Sequence, residues 1–415
     1  MTTAARLRSG IAIVASVGAL VFLIMIFVYG SRVDFRVYLA GAQALLDGQP
    51  LYGDVGIQSA DIFLPFTYPP FAAVALLPFA IVAKPVALIA WFALSLASLV
   101  GIAAMTAVRL PALANRTVSR QVVQQLAVVV FVLAAISEPI SKNFNLGQVN
   151  LFIVVALMYD TVNRTRFTGY LTGIAAGFKV TPGIFILFML ATRRWGDAAR
   201  AIAGLVATLI IGAFFGINQV VEYWTNILFD VSRVGDADRL SNVSLQGSIY
   251  RIFGDEGASR LIWLILAAAI LCGGTVLAVR WWDRSRLLAA SIIGLTSVII
   301  SPISWVHHWV WVVPLASACA ALAVRARGNS HRGVFSALVA ASLLTALPPI
   351  IHWRYQWETL LPFDTSVNTN IVGIGYTAAA LVTLVLLTIA LRLPKSSYEP
   401  AVPVSMLRAL PTDVR

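Results

Sequence analysis

Charge is scarce in this chain. Only 12% of its 415 residues are Asp, Glu, Lys or Arg, roughly half the share of an ordinary soluble domain. That scarcity excludes a large soluble domain, because the polar-leaning stretches run to a few dozen residues at most. Cysteine is scarcer still: Cys272 and Cys319 lie inside apolar runs with no Cys or His at ligand spacing, which excludes a disulfide framework and a zinc site. Glycine-rich phosphate loops, a nucleophile elbow and a zincin helix are also missing. Acidic residues number 18 against 30 basic ones, a net charge of +12. The excess sits in small clusters between apolar runs, the pattern of cytoplasmic loops facing anionic lipid rather than of a nucleic-acid surface.

What the chain does have is apolar length. At 59% hydrophobic, it reads as an all-α, polytopic membrane protein with about twelve transmembrane helices, one multi-span domain over residues 1–392. The first run, Ile11 to Tyr29, follows Arg6 and Arg8. It is too long, and lacks the cleavage site, for a secretory signal, so it reads as a retained span with a cytoplasmic N-terminus. Phe71 to Ala83 and Val86 to Val108 make one crossing or two. Leu151 to Tyr159, a hairpin from Phe167 to Leu190 broken at Lys179-Val180-Thr181-Pro182-Gly183, Leu287 to Ile300 and Val334 to Ile351 are among the other expected spans. Arg clusters at 109–120, 164–166, 193–200 and 280–286 assign the cytoplasmic side. Residues 31–69 and 218–259 then become large external loops with interfacial helices, His352 to Asn370 a further external segment, and the proline-bearing tail 393–415 a disordered cytoplasmic end. The expected location is the plasma membrane, with both termini inside.

With this topology the unusual polar residues fall on one, external, side. Asp34 is pinned about a turn beyond the first span, and Asp34, Tyr38 and Gly41 share one face of an interfacial helix by spacing. An ionisable group fixed at a membrane boundary is a functional candidate, although carboxylates at helix ends are also structural. Arg36, Tyr68 before Pro69-Pro70, and Asn143, Gln148 and Asn150 gather on the same side. The amides of 138–150 either cap helix ends or line a site. Lys179 either snorkels to the interface or holds an anion where Pro182 breaks its span. Asn242 and Gln246 either cap the helix starting near Gly247 or contact substrate. His307 and His308 are adjacent, so on a helix they face about 100° apart and converge poorly on one metal ion; one of them contacting an anion is the better reading, and no metal or other cofactor is expected. Asp236-Ala237-Asp238 imitates a metal clamp but lies in a polar loop on the side away from nucleotide sugars.

Taken together, Asp34-Phe35 with Tyr38, Tyr68-Pro69-Pro70, Gly147-Gln148 with Asn150, Lys179 with Pro182, Asn242 to Gln246 and Ser301 to His308 resemble the family 87 enzymes of the polytopic C superfamily of glycosyltransferases, found in actinobacteria. Within it the similarity is greatest to the mycobacterial α-1,2-mannosyltransferases. The resemblance implies a polyprenyl-phosphate mannose donor, a glycolipid acceptor such as a phosphatidylinositol mannoside or lipomannan, and a catalytic aspartate mapping onto Asp34. A β-linked donor giving an α product requires one inverting displacement, for which a single base is sufficient, since a phosphate leaving group needs no general acid. It needs cations, and Arg36, Lys179, His307 and His308 are the candidates. Tyr38, Tyr68, Asn143, Gln148, Asn150, Asn242 and Gln246 are candidate substrate contacts. An arabinofuranosyltransferase using polyprenyl-phosphate arabinose is the nearest rival. A lipid or sugar transporter is the rival from another class, disfavoured because transporters concentrate ionisable groups at mid-membrane.

Overall fold

The computed structural model describes residues 3–59, 62–239, 241–254, 257–326, 332–344 and 366–392. The first half contains α1 (Thr3–Tyr29), α2 (Val33–Leu46), an antiparallel hairpin of β1 (Gly56–Ser59) and β2 (Ile62–Pro65), α3 (Pro70–Ala80), α4 (Lys84–Ala107), α5 (Leu110–Leu113), α6 (Arg120–Ala135), α7 (Glu138–Leu146) and α8 (Asn150–Val162). Then come α9 (Tyr170–Phe178), α10 (Ile184–Ala191), α11 (Trp195–Thr225), α12 (Leu245–Phe253), α13 (Gly257–Trp282), α14 (Arg286–Ile300), α15 (Val312–Arg325), α16 (Arg332–Leu344) and α17 (Ser366–Arg392). The helical expectation holds apart from the hairpin, which sits inside the first large loop.

The protein is a multi-pass membrane protein, and among the described residues fewer helices run full length than the twelve or so expected. Among the described residues six helical stretches are long and apolar enough to cross a bilayer, or seven if α6 and α7, bent by 67°, form one broken span. Between residues 70 and 113 only the stretch Lys84–Leu113 qualifies, and α3 is short. Asn150–Val162, Thr181–Ala191 and Arg286–Ile300, expected as parts of spans, are apolar but too short. At 1.5 Å per residue, the 13 residues of α8 reach about 20 Å, against a hydrocarbon core of about 30 Å. Residues 345–351 of the expected Val334 to Ile351 span, residues 352–365 of the expected external segment His352 to Asn370, and the tail 393–415 lie outside the described residues, whereas 366–370 already belong to α17.

The long helices turn large apolar side chains outward, among them Val14, Ile210, Phe214 and Ile265. Such a surface suits lipid and would be unusual in water. Between helices, close approach replaces a hydrophobic drive: at Gly173 of α9 any Cβ would run into the backbone of Ala201 on α11. An aromatic core fixes the entrance of α2. Trp91 of α4 is fully enclosed, its ring 4.8 Å from both Phe35 and Phe152. Its indole N–H donates to the Gly147 carbonyl at 3.0 Å. Packing of this kind holds α2, α4 and the α7–α8 corner as one unit, which is what gives Asp34 a fixed position.

Candidate active site

Asp34 lies in the first turn of α2, where the helix dipole favours a negative charge. Two contacts aim that turn. The Arg32 amide donates to the Asn145 carbonyl at 2.8 Å, and Arg32 takes a left-handed conformation, φ 48°, to make the corner after α1. On the other side, Gly147 ends α7 at φ 70°, and a Cβ there would come within 2.7 Å of the Phe35 Cβ. Glycine is required on both counts.

Asp34 opens onto a cavity of about 1190 Å³ whose wall also carries Tyr68, Gln148, Lys179, His307 and His308. Behind the wall runs a continuous polar network. The Tyr38 hydroxyl donates to Gln148 Oε1 at 2.9 Å and lies 3.1 Å from the Tyr68 hydroxyl. Asn150 Nδ2 is 3.3 Å from Gln148 Oε1 and donates to the His307 carbonyl at 3.0 Å. Asn143 Nδ2 reaches the same carbonyl at 2.7 Å. These amides therefore tie the α7–α8 corner to the Ser301 to His308 run.

Lys179 stands at the break between α9 and the single turn Thr181–Gly183, in extended conformation. The turn admits Pro182 because its first residues need no donor. The Lys179 ammonium donates to Asn150 Oδ1 at 3.0 Å and sits 3.1 Å from His308 Nε2. With an ammonium as neighbour, Nε2 is the acceptor and the His308 proton belongs on Nδ1. The ammonium also lies 5.8 Å from the centre of the Tyr68 ring. His307 packs edge-on against His308 with ring centres 4.6 Å apart, and its buried Nε2 has no hydrogen-bond partner.

Burial pushes the Asp34 carboxyl from 3.8 up to about 6, against the lowering effects of a hydrogen bond from Gln148 and the charge of Lys179. Such a group is ionised near neutral pH yet basic enough to take a proton in a transition state. A carboxylate base beside a lysine and a histidine is equipped to deprotonate a hydroxyl while holding an anionic leaving group.

The other sequence candidates stand elsewhere. Arg36 is exposed and is not part of the cavity wall. Asn143 is buried behind it, its Nδ2 divided between the Pro139 and His307 carbonyls. Asn242 is fully buried and acts as a staple. Its Nδ2 donates to the Ala237 and Pro302 carbonyls at 2.7 and 3.1 Å, and its Oδ1 accepts from the Ser304 amide at 2.9 Å. Gln246 donates to the Tyr250 hydroxyl at 2.8 Å. Ser244 caps α12 through the Gly247 amide. Asp236 pairs with Arg239 at 2.9 Å, and the described residues contain no group of three or more His, Cys, Asp or Glu able to hold a metal ion.

One residue of the cavity wall went unread in the sequence, and one link of the 138–150 stretch could not be read there. Arg233, within the 218–259 segment, lines the cavity. So does Glu138, which accepts a 2.7 Å hydrogen bond from Tyr376 of α17. A lone arginine in a polar loop carries no spacing signal, and Tyr376 is remote in sequence.

The profile of glycosyltransferase family 87 matches residues 66–302. A polyprenol-phosphate-mannose-dependent alpha-(1-2)-phosphatidylinositol mannoside mannosyltransferase of Mycolicibacterium smegmatis is 34% identical over 350 residues, 80% of this chain and 77% of the relative. The protein of that name from Mycobacterium tuberculosis is 31% identical over 387 residues, 87% and 86% of the two chains. A polyprenol-phosphate-mannose-dependent alpha-(1-2)-phosphatidylinositol pentamannoside mannosyltransferase of M. smegmatis is 34% identical over 297 residues, 68% of each. No solved structure matches the chain.

Proposed function

The chain belongs to glycosyltransferase family 87, and from that premise we propose that it is an inverting α-1,2-mannosyltransferase with Asp34 as its base. The donor is polyprenyl-phosphate mannose and the acceptor a lipid-linked mannoside, a phosphatidylinositol mannoside or lipomannan. The acceptor hydroxyl gives its proton to the Asp34 carboxylate as its oxygen bonds to C1 of the mannose. The C1–O bond to phosphate breaks on the opposite face, and the polyprenyl phosphate leaves with the electron pair. Lys179 and His308 hold the charge that develops on the departing phosphate. The observation that carries this reading is the cavity wall itself, where a carboxylate with its pKa near 6 faces the same space as Lys179 and His308.

The reaction takes place on the external face. Supporting this, α8 starts just behind the cavity wall with Asn150 and ends where Asn163 accepts a hydrogen bond from Arg109. Likewise α14 starts at Arg286, which packs with Arg194 against Trp282, and ends at Ser301 in the cavity wall. The basic loops thus lie one short helix away from the site, at the pole the positive-inside rule gives to the cytoplasm. Because α8 spans only about 20 Å, the cavity floor is sunk roughly 10 Å below the far surface of a bilayer core of about 30 Å. A lipid-borne phosphate can enter such a basin from the side while its tail stays among the helices.

Purified protein supplied with polyprenyl-phosphate mannose and phosphatidylinositol mannosides tests the reading. Wild type is expected to form an α-1,2 linkage and Asp34→Asn to lose about 10²–10⁴-fold in rate. Turnover surviving in the Asn variant would remove Asp34 from its role. Transfer of arabinose in place of mannose would overturn the donor.

A further inference from the structure

Beyond the Lys179–His308 pair, the cavity wall carries Arg233, a cation that the transfer step leaves without a task. Arg233 follows α11 within the short turn Val231–Val234 and contributes to the cavity wall, and among the described residues it forms no ion pair. Its Nε and one terminal nitrogen are buried with no hydrogen-bond partner. Leaving buried guanidinium donors unmade is costly unless a ligand supplies acceptors. Of the carboxylates along that stretch, Asp238 acts electrostatically on Arg251, and the other two have partners among their neighbours. Asp236 pairs with Arg239, and Asp230 accepts a hydrogen bond from the Ser232 hydroxyl.

The two cations are separate. Lys179 stands at the break after α9, whereas Arg233 sits in the turn that packs against β2 of the β-hairpin. The wall that carries Arg233 also has the apolar side chains of Leu64, Ile227, Leu228 and Val234, together with Asp230, Asp236 and Asp238. A planar fork of donors with apolar side chains in the same wall suits a phosphate ester carried on a lipid.

We propose that Arg233 is the binding site for the phosphodiester of the lipid-linked acceptor, distinct from the donor phosphate held at Lys179. This assignment rests on the mannosyltransferase reading for the identity of the acceptor. A site of this kind lets one cavity seat two lipid phosphates at once without exchanging them, and it measures the acceptor from its lipid anchor to the hydroxyl that must reach Asp34.

The test compares wild type, Arg233→Gln and Arg233→Lys with two acceptors, a phosphatidylinositol mannoside and a neutral diacylglycerol mannoside of the same glycan. Wild type is expected to prefer the phosphodiester acceptor in kcat/KM. The Gln variant should lose that preference by about tenfold to a hundredfold, the scale of a lost charge-assisted hydrogen bond, through acceptor KM. The Lys variant should recover part of it. A preference that survives in the Gln variant, or a loss carried by the KM for polyprenyl-phosphate mannose, overturns the assignment. Binding of the phosphatidylinositol mannoside to the detergent-purified proteins is measured alongside. Equal binding by wild type and Gln variant also overturns it. Weaker binding by the Gln variant in a protein that transfers no mannose would uphold the site and refute the proposed reaction, so the two failures separate.

Discussion

Asp34→Asn should make the protein more stable while abolishing its activity. Asp34 is half-buried, and burial lifts its carboxyl from 3.8 to about 6. Between those values the folded protein holds a proton that the unfolded chain has released. Stability from this group is therefore fully present below about 3.8 and is lost as pH rises through about 6. At pH 7.5 the ionised, buried carboxylate thus costs the fold free energy. A displacement of that size corresponds to ~3 kcal/mol, and the group's partial contact with solvent reduces this to ~2 kcal/mol. The isosteric amide removes the charge and keeps the shape. Thermal unfolding in detergent at pH 7.5 is expected to show the Asn variant melting a few degrees above wild type, with the gap closing as pH is lowered from 7.5 to 5. A variant that melts lower, or a gap indifferent to pH, would refute the claim that Asp34 is held ionised against its burial. Lower melting would also show that lost turnover came from damage to the fold. Sites that store such cost are where function concentrates, since the stability given up is what tunes the group.

Wild-type kcat/KM should fall about tenfold per pH unit below about 6. Because the Lys179 charge lowers the Asp34 pKa, Lys179→Gln should move that acid limb to higher pH and weaken donor binding; a limb that stays in place would detach Lys179 from the base. Asn242→Ala removes hydrogen bonds to the Ala237 and Pro302 carbonyls and the acceptor of the Ser304 amide, and leaving buried backbone groups unpaired costs on the order of 1–3 kcal/mol. Limited proteolysis should then cut the 218–259 segment faster than in wild type, and unchanged cutting would show that Asn242 does not anchor it.

Much of the site was legible because a membrane chain makes polar groups conspicuous. In a sequence with 12% charged residues, Asp34, Gln148, Lys179 and the 307–308 pair stand out, and the cost of burying them without partners implies that they meet something. Helical spacing placed Asp34, Tyr38 and Gly41 together, and all three lie on α2. Arg36 shows where that logic stops. It is two residues from Asp34 on a helix, which turns it to an exposed face. Asn143, Asn242 and Gln246 have the right chemistry, but the backbone and Tyr250 take up their amide N–H groups.

The amino-acid sequence by itself determined the membrane class, the helical build and the family likeness, because hydropathy, basic clusters and local helical spacing are properties of neighbouring residues. Tertiary structure decided the rest. Which helices run full length depends on where each chain segment breaks, and α8, α10 and α14 are too short to cross alone. The approach of Lys179 to His308, the placement of Arg233 in the same cavity as Asp34, and the rise of the Asp34 pKa arise from segments more than a hundred residues apart. Distance, burial and field at a point are sums over everything packed around it, and no local reading of the chain contains them.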